Sequence, residues 1–389
     1  MKLSKIVSTV IVGTTGLIGY GIFDGNEALY SNLIMPIIQK TMDGESAHNF
    51  AIKMSKYGFV PKEKSYKNQE ILNVRAFDKM FKNPIGCAAG FDKNGEAMEG
   101  LFKIGFGFVE IGTVTPLPQE GNPRPRVFRL IEDRGVINRY GFNGEGHEKV
   151  LKRVQEFLSN DKNKEKILGV NIGKNKLQED AVKDYTEGIR VFGDKASYIV
   201  INISSPNTPG LRSLQSKKLL EDLIDPLLEL RNKINRNLPI LIKIAPDLNE
   251  QEMKDIAEVC TRKNKIIDGL IVSNTTISRP ENLTSSFKNE TGGLSGRPVK
   301  AISNKTLKRM YELTQGKLTI IGVGGIESGY DALEKIKSGA TLVQLYSSMV
   351  FEGPVIVNKI KRELIELLQK EGYSNVTEAI GASVKSLEK

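Results

Sequence analysis

The residue types from which chemistry could be built are few: a serine ahead of a proline, four asparagines, two lysines that follow apolar runs, and a late cluster of glycines. Ser205 precedes Pro206, whose ring fixes the backbone beside it. An alcohol loses its proton far above neutral pH, so Ser205 could act as a base only with a relay and a substrate whose own proton is already acidified. Neither a G-x-S-x-G elbow nor a histidine partner accompanies it, which disfavours a Ser-His-Asp hydrolase. Asn138, Asn202, Asn207 and Asn274 suggest a planar ligand with several donors and acceptors, since a carboxamide gives and receives at once. A pyrimidine fits that description, although any one of them alone would pass for a turn or cap residue. Gly324-Gly325, Gly296 in Gly292-Gly293-Leu294-Ser295-Gly296, and Tyr346-Ser347 suit a phosphate, where backbone N–H groups converge and glycine permits close approach.

Composition removes several classes. Hydrophobic residues at 39% and charged residues at 26% are those of a globular body, not of a disordered chain or a multi-span membrane protein. The net charge of +10 comes from scattered lysines, and no nucleic-acid module is recognisable, so no nucleic-acid partner is expected. Two cysteines, Cys87 and Cys260, lie in apolar runs and read as buried thiols; with only two histidines they argue against a disulfide framework and against a zinc site. No metal is expected. A G-x-G-x-x-G after the first strand and a Walker lysine motif are both missing, which disfavours a Rossmann site and an NTPase.

The elements that must position these residues alternate regularly. From about Leu72, eight short runs rich in Val and Ile recur: Pro84–Ala89, Phe108–Ile111, Leu168–Ile172, Tyr198–Ile203, Ile240–Ile244, Gly269–Val272, Thr319–Val323 and Leu342–Leu345. Amphipathic patterns fit between most of them, as at Asp180–Phe192, Leu219–Ile234, Glu250–Lys263, Ile302–Thr314 and Gly329–Lys337. This predicts a (β/α)8 TIM barrel, and every polar group named above falls just after a run or in a long loop. In phase, the tips make one polar rim: Ala89-Gly90-Phe91-Asp92-Lys93, Gly112-Thr113, Asn171, Asn202 to Asn207, Lys243, Ser273-Asn274-Thr275, Gly324-Gly325 and Tyr346-Ser347. No His, Cys or Glu stands at its expected centre. Two intervals, Thr113–Asn143 and Ser278–Pro298, are too long for simple connections and are expected to cover the rim.

Ahead of the barrel, Ile6–Phe23 carries no charge, and at ~1.5 Å per residue an 18-residue helix just spans a hydrocarbon core. Residues 1–27 are therefore read as a single N-terminal membrane anchor, with a cleaved signal or targeting segment as the alternative. Residues 28–71 read as two short amphipathic helices divided at Asp43-Gly44-Glu45-Ser46, with a linker, and 72–389 as the barrel. Next to an anchor, an apolar helix face suits lipid or a lipophilic ligand as well as it suits core packing.

The segments AAGFDKNGEA (from Ala88), TPLPQEGNPRPRVFRL (from Thr115), INRYGFN (from Ile137), GVNIGKNK (from Gly169), NISSPNTPGLRSLQ (from Asn202), IKIAPDL (from Ile242), IVSNTTISRP (from Ile271), ETGGLSGRP (from Glu290), IIGVGGI (from Ile320) and LVQLYS (from Leu342) resemble the class 2 dihydroorotate dehydrogenases. Ten motifs in the family's order, from about Leu33 to Ala382, make the likeness specific. It implies an FMN enzyme that oxidises (S)-dihydroorotate to orotate with ubiquinone as acceptor, in pyrimidine biosynthesis. It implies Ser205 as the catalytic base, where the related soluble class carries cysteine, with Thr208 and Phe142 forming a proton-relay environment. Lys93, Asn138, Asn207, Asn274 and Thr275 match positions that hold the pyrimidine, beside Arg139, Tyr140 and Gly141 of the INRYGFN segment, with Asn202 between pyrimidine and flavin. FMN would be held by Ala89, Gly90, Phe91, Asp92, Lys93, Thr113, Asn171, Asn202, Lys243, Ser273, Gly296, Gly325, Tyr346 and Ser347. The helical pair matches the family's quinone tunnel, with Gln39 and Arg129 at its inner end and His48 in a matching Glu-Ser-Ala-His segment. Mitochondrial members carry a spanning segment, so Ile6–Phe23 favours the mitochondrial inner membrane; a monomer seated on the lipid bilayer is expected. The departures are hydroxyl swaps at Thr113 and Ser347, tunnel walls that match less closely, and a short leader without arginine.

Three rival readings follow from the same residues. A soluble-class dehydrogenase using fumarate or NAD is opposed by Ser205 and the helical pair. An FMN barrel acting on a 2-hydroxy acid would ordinarily need a histidine base. A non-catalytic barrel tethering a phosphate ligand at the membrane would not respond to dihydroorotate.

Overall fold

Short runs of Val, Ile and Leu buried on both faces can satisfy their backbone groups only by pairing on both edges, and closing the sheet into a ring achieves this. The computed structural model describes residues 19–263 and 267–385. In chain order the strands are β1 (Val74–Ala76), β2 (Lys79–Phe81), β3 (Ile85–Cys87), β4 (Phe108–Val114), β5 (Val127–Leu130), β6 (Gly135–Asn138) and β7 (Ile167–Ile172). They continue with β8 (Tyr198–Asn202), β9 (Ile240–Ile244), β10 (Gly269–Val272), β11 (Gly293–Gly296), β12 (Thr319–Val323) and β13 (Leu342–Leu345). Eight of them, β3, β4, β7, β8, β9, β10, β12 and β13, close in that order into a parallel barrel, and these are the eight expected runs. Cys87 and Cys260 are buried free thiols.

The helices are α1 (Met35–Thr41), α2 (Gly44–Lys56), α3 (Met98–Ile104), α4 (Gly146–Ser159), α5 (Ala181–Phe192), α6 (Lys217–Ile234), α7 (Glu250–Cys260), α8 (Lys300–Thr314), α9 (Gly329–Lys337) and α10 (Ile356–Lys370). The caps explain several boundaries. Asp180 accepts from the Lys183 amide ahead of α5, and Asn249 with Glu252 forms a reciprocal capping box on α7. The division in the N-terminal pair falls at Asp43, which accepts from the amides of Glu45 and Ser46 and so opens α2. The turns before α1 are not regular: Tyr30–Ile34 is a π-helical stretch.

Two features outside the expected runs position the site. β1 and β2 form a hairpin whose turn residues, Phe77 and Asp78, both take positive φ (51° and 57°), and it lies at the amino end of the barrel, with Phe77 against Tyr198 and Phe81 against Phe108. Within the two long loops, β5, β6 and β11 make a small antiparallel sheet with β6 in the middle, where Asn138 pairs with both Val127 and Gly293. It has a hydrophobic cluster of its own, Phe128, Leu130, Ile137, Leu283 and Leu294, and lies over the opposite end of the barrel.

Most of the expected anchor lies outside the described residues; residues 19–24 are helical. Among the described residues, no helix is long and apolar enough to cross a membrane.

Candidate active site

One cavity of about 560 Å³ begins between α1 and α2 and ends on the carboxyl tips of the barrel strands, under the small sheet. Its outer arm is walled by apolar side chains of the helical pair, among them Ile34, Met35, Ile38, Ala51 and Met54. Its inner arm is polar, so one space offers two environments.

Most residues expected at the rim converge there. Ala89, Gly90, Phe91, Lys93, Thr113, Asn138, Tyr140, Gly141, Phe142, Asn202, Ser205, Asn207, Lys243, Ser273, Asn274, Thr275, Gly296, Gly325, Tyr346 and Ser347 line the cavity, and so do His48 and Arg129. Five others do not line it. The Asp92 carboxylate accepts from the amides of Glu96 and Ala97 and organises the turn into α3; burial pushes it up to about 6. Asn171 lies one layer down and acts on the rim through Thr113, whose hydroxyl donates to its Oδ1 at 2.6 Å. Arg139 points outward to Glu290 and to the carbonyls of Pro125 and Thr291. Gln39 donates to the Val350 carbonyl, pinning α1 to the segment after β13. Thr208 is buried beyond Ser205 in the same loop.

Strand geometry explains the convergence. The register between β4 and β7 shifts between Ile111 and Val114, a local irregularity at Gly112-Thr113 where the strand runs past its expected end. Asn202, at the tip of β8, donates to the Thr113 hydroxyl (2.9 Å) and accepts from Asn274 (3.2 Å). Ser205 is buried, and its Oγ accepts from the Asn207 amide at 3.3 Å. Asn207 reaches across to the Asn138 carbonyl (3.1 Å), joining the serine loop to the small sheet. Phe142 lines the cavity from a left-handed backbone (φ 55°), a conformation costly for an aromatic residue and held by Gln119, which donates to its carbonyl.

Sequence reasoning missed a buried carboxylate. Glu110, inside the barrel, accepts from Asn171 (2.8 Å), Gln344 (2.7 Å) and Tyr198 (3.3 Å), residues on three other strands. It was read as one member of an apolar run; a lone charge in such a run is itself the signal, because it must find partners inside. Burial lowers the Lys243 ammonium and the nearby Glu110 charge pulls it back up. Enclosure brings Lys93 down to about 7, against the opposing pull of Glu45, and its Nζ sits 3.7 Å over the Tyr140 ring.

His48 stands at the junction of the two arms, packed against Phe91, Tyr140 and Tyr346. Its Nε2 lies 2.7 Å from the Phe91 carbonyl, which can only accept, so Nε2 carries the proton and Nδ1 accepts from the Tyr140 hydroxyl at 3.0 Å. Burial and Lys93 push His48 down to about 3, so the ring is neutral. Arg129 donates to the carbonyls of Gln39 and Met42 and fastens the end of α1 to β5. Glu45, in the first turn of α2, takes a two-point bond from Arg126 (2.8 and 3.0 Å) and a third from Arg124. Burial raises that carboxyl, but the arginines outweigh it and hold it below its ordinary value.

The residues present fit a flavin mononucleotide. Two buried polar atoms at the β13 tip, Gln344 Oε1 and Ser348 Oγ, have no protein partner among the described residues and could bond a flavin, and Thr275 Oγ1 on the far side of the cavity is unpartnered in the same way. Gly324 and Gly325 take positive φ, and a Cβ on Gly325 would fall 2.4 Å from that of Lys300. Their tip and that of Tyr346-Ser347 are where a phosphate was expected. Among the described residues, no group of three or more His, Cys, Asp or Glu side chains is placed to hold a metal ion.

Comparison with known proteins agrees with this geometry. The family model described as Dihydroorotate dehydrogenase matches residues 71–368. The mitochondrial dihydroorotate dehydrogenase (quinone) of Mus musculus is 49% identical over 391 residues, 98% of each chain. The dihydroorotate dehydrogenase (quinone) of Xanthobacter autotrophicus is 46% identical over 348 residues, 88% of this chain and 96% of its own. The solved structure of DHODH in complex with ferulenol from Eimeria tenella matches with a TM-score of 0.84 at 42% identity, covering 87% of this chain and 95% of that one.

Proposed function

The chain belongs to the dihydroorotate dehydrogenase family, and from that premise we infer how its cavity serves two reactants of opposite polarity. It is a quinone-dependent oxidoreductase of pyrimidine biosynthesis, taking dihydroorotate to orotate. The observation that carries the assignment of the two ends is the change in lining, polar at the strand tips and apolar between α1 and α2.

The polar end takes dihydroorotate. Lys93 offsets its carboxylate, and Asn138, Asn207, Asn274 and Thr275 hold the ring; the unpartnered Thr275 hydroxyl supports that role. Ser205 takes the C5 proton on its Oγ while its own hydroxyl proton passes out along a relay formed at the buried Thr208 and lined by Phe142. The cofactor is FMN, held by the tips of β3, β4, β8, β9, β10, β11, β12 and β13, with Asn171 of β7 acting from beneath through Thr113 and Lys243 as a counter-charge. What FMN supplies when bound is an acceptor for the hydride leaving C6 that a quinone can reoxidise. The apolar arm admits ubiquinone, with His48 and Arg129 at its inner end and Gln39 holding α1 in place behind them. The exposed side chains of Leu33, just before α1, and of Ile37 and Phe50 on this pair favour a membrane seat, and the mitochondrial relatives favour the inner mitochondrial membrane.

Anaerobic mixing with dihydroorotate, followed by a decyl-ubiquinone chase, tests the reading. The yellow colour should bleach and then return on the chase. Ser205→Ala should bleach slower by about 10²-fold or more while retaining FMN; bleaching at the parental rate would remove Ser205 as the base.

A further inference from the structure

Arg212 lies seven residues beyond Ser205 and does not line the cavity, yet its guanidinium ties together three strand tips. Nε donates to the Ser204 carbonyl at 3.1 Å, Nη2 to the Thr275 carbonyl at 2.9 Å, and Nη1 to the Asp247 carboxylate at 2.8 Å. The two carbonyls belong to the immediate neighbours of Ser205 and Asn274. Asp247 is occupied in turn: it accepts from the hydroxyls of Thr276 and Ser278 and from the Ile277 amide. Gln215 extends the tie, accepting from the Ala245 amide and donating to the Arg212 carbonyl.

Ser204 has a second tie, its hydroxyl donating to the Lys243 carbonyl (2.6 Å) and accepting from the Asn274 side chain (3.0 Å), but the stretch beyond it is irregular. Residues 203–210 form no strand and contain Pro206, Pro209 and a left-handed Gly210 (φ 70°). Its tip meets the small sheet through the Asn207 side-chain amide, which donates to the Asn138 carbonyl at 3.1 Å. A planar fork reaches two carbonyls and a carboxylate from three separate nitrogens in a fixed geometry, whereas a lysine ammonium must offer its three donors from one point on a flexible stem.

We propose that Arg212 and Asp247 form a latch that sets Ser205 against the Asn274-Thr275 tip, making Arg212 a positioning residue for the dihydroorotate half of the reaction. The inference rests on Ser205 being the base. Because neither latch residue lines the cavity, the quinone half should be insensitive to it.

The test uses the full chain with its flavin and follows two rates and one affinity in Arg212→Lys, Asp247→Asn and the double variant. Bleaching by dihydroorotate should slow by about tenfold or more in each single variant, since small misplacements of reacting groups are costly. Orotate affinity, read by calorimetry, should fall, while reoxidation by decyl-ubiquinone stays within about twofold of the parent. The double variant should be no slower than the slower single one, as expected of two groups acting as a unit. Parental bleaching in Arg212→Lys, equal losses in both halves, or additive losses would each overturn the latch. A parent protein that failed to bleach would instead overturn the reading on which it rests. Should Arg212→Lys not fold, Asp247→Asn carries the same comparison.

Discussion

Lys93 shows what a single enclosed ammonium does to ligand binding. With its value brought down to about 7 by burial, it is charged below that pH and neutral above it. If the ligand carboxylate sits beside Lys93, as proposed, it favours the charged form, and binding above pH 7 takes up a proton. Orotate affinity should therefore be flat from pH 6 to 7 and fall above it, approaching tenfold per pH unit, about the limit for one linked proton. Calorimetry across pH 6–8.5 checks this, and Lys93→Met should bind weakly with no slope. Residues such as Lys93, Ser205 and Asn274 were legible in the sequence because each directly follows or closely trails a strand, and a strand tip has one direction to face. Glu110 was not, since its meaning lies in Asn171, Tyr198 and Gln344, which reach it across the barrel.

At the scale of elements, α2 is attached to the barrel through a buried charge pair as well as by its apolar stripe. Glu45 and Arg126 have side chains only 10% and 6% exposed, so loss of one partner strands the other in a dry place. Glu45→Ala should lower stability by about 3 kcal/mol, the range for breaking a buried pair, and raise the decyl-ubiquinone KM more than the dihydroorotate KM. Thermal unfolding and steady-state kinetics with each substrate varied decide it; equal rises in both KM values would count against a role in shaping the apolar arm. The N-terminal helical pair, helices α5 to α9 and the eight barrel strands could be read from periodicity. The β1–β2 hairpin could not, because its turn places Phe77 and Asp78 where glycine or asparagine is the usual signal, and packing of Phe77 on Tyr198 compensates. β11 was likewise hidden, its partner β6 lying in the other long loop about 160 residues earlier, and β5 and β6, which pair locally, are only four residues each.

For the molecule as a whole, the two histidines set an acid limit. His147 is buried with neither ring nitrogen bonded among the described residues, and burial takes it down to about 4; His48 is held near 3. Both pKa values lie below the unfolded value near 6.5, so between these limits the unfolded chain binds more protons and stability falls as pH falls. Each should contribute a slope of up to about 1.4 kcal/mol per pH unit below pH 6.5, and none above it. Unfolding measured at pH 7.5, 6 and 5 checks the sign, and His147→Gln should flatten the acid branch.

The change of lining along a single cavity has a kinetic corollary. A bulky lipophile wedged between α1 and α2 would leave the strand tips open, so the protein could accept electrons once and then have nowhere to send them. Such a molecule should act as a plug on the exhaust: one stoichiometric burst of orotate, then silence, with the burst size counting the molecules that carry flavin.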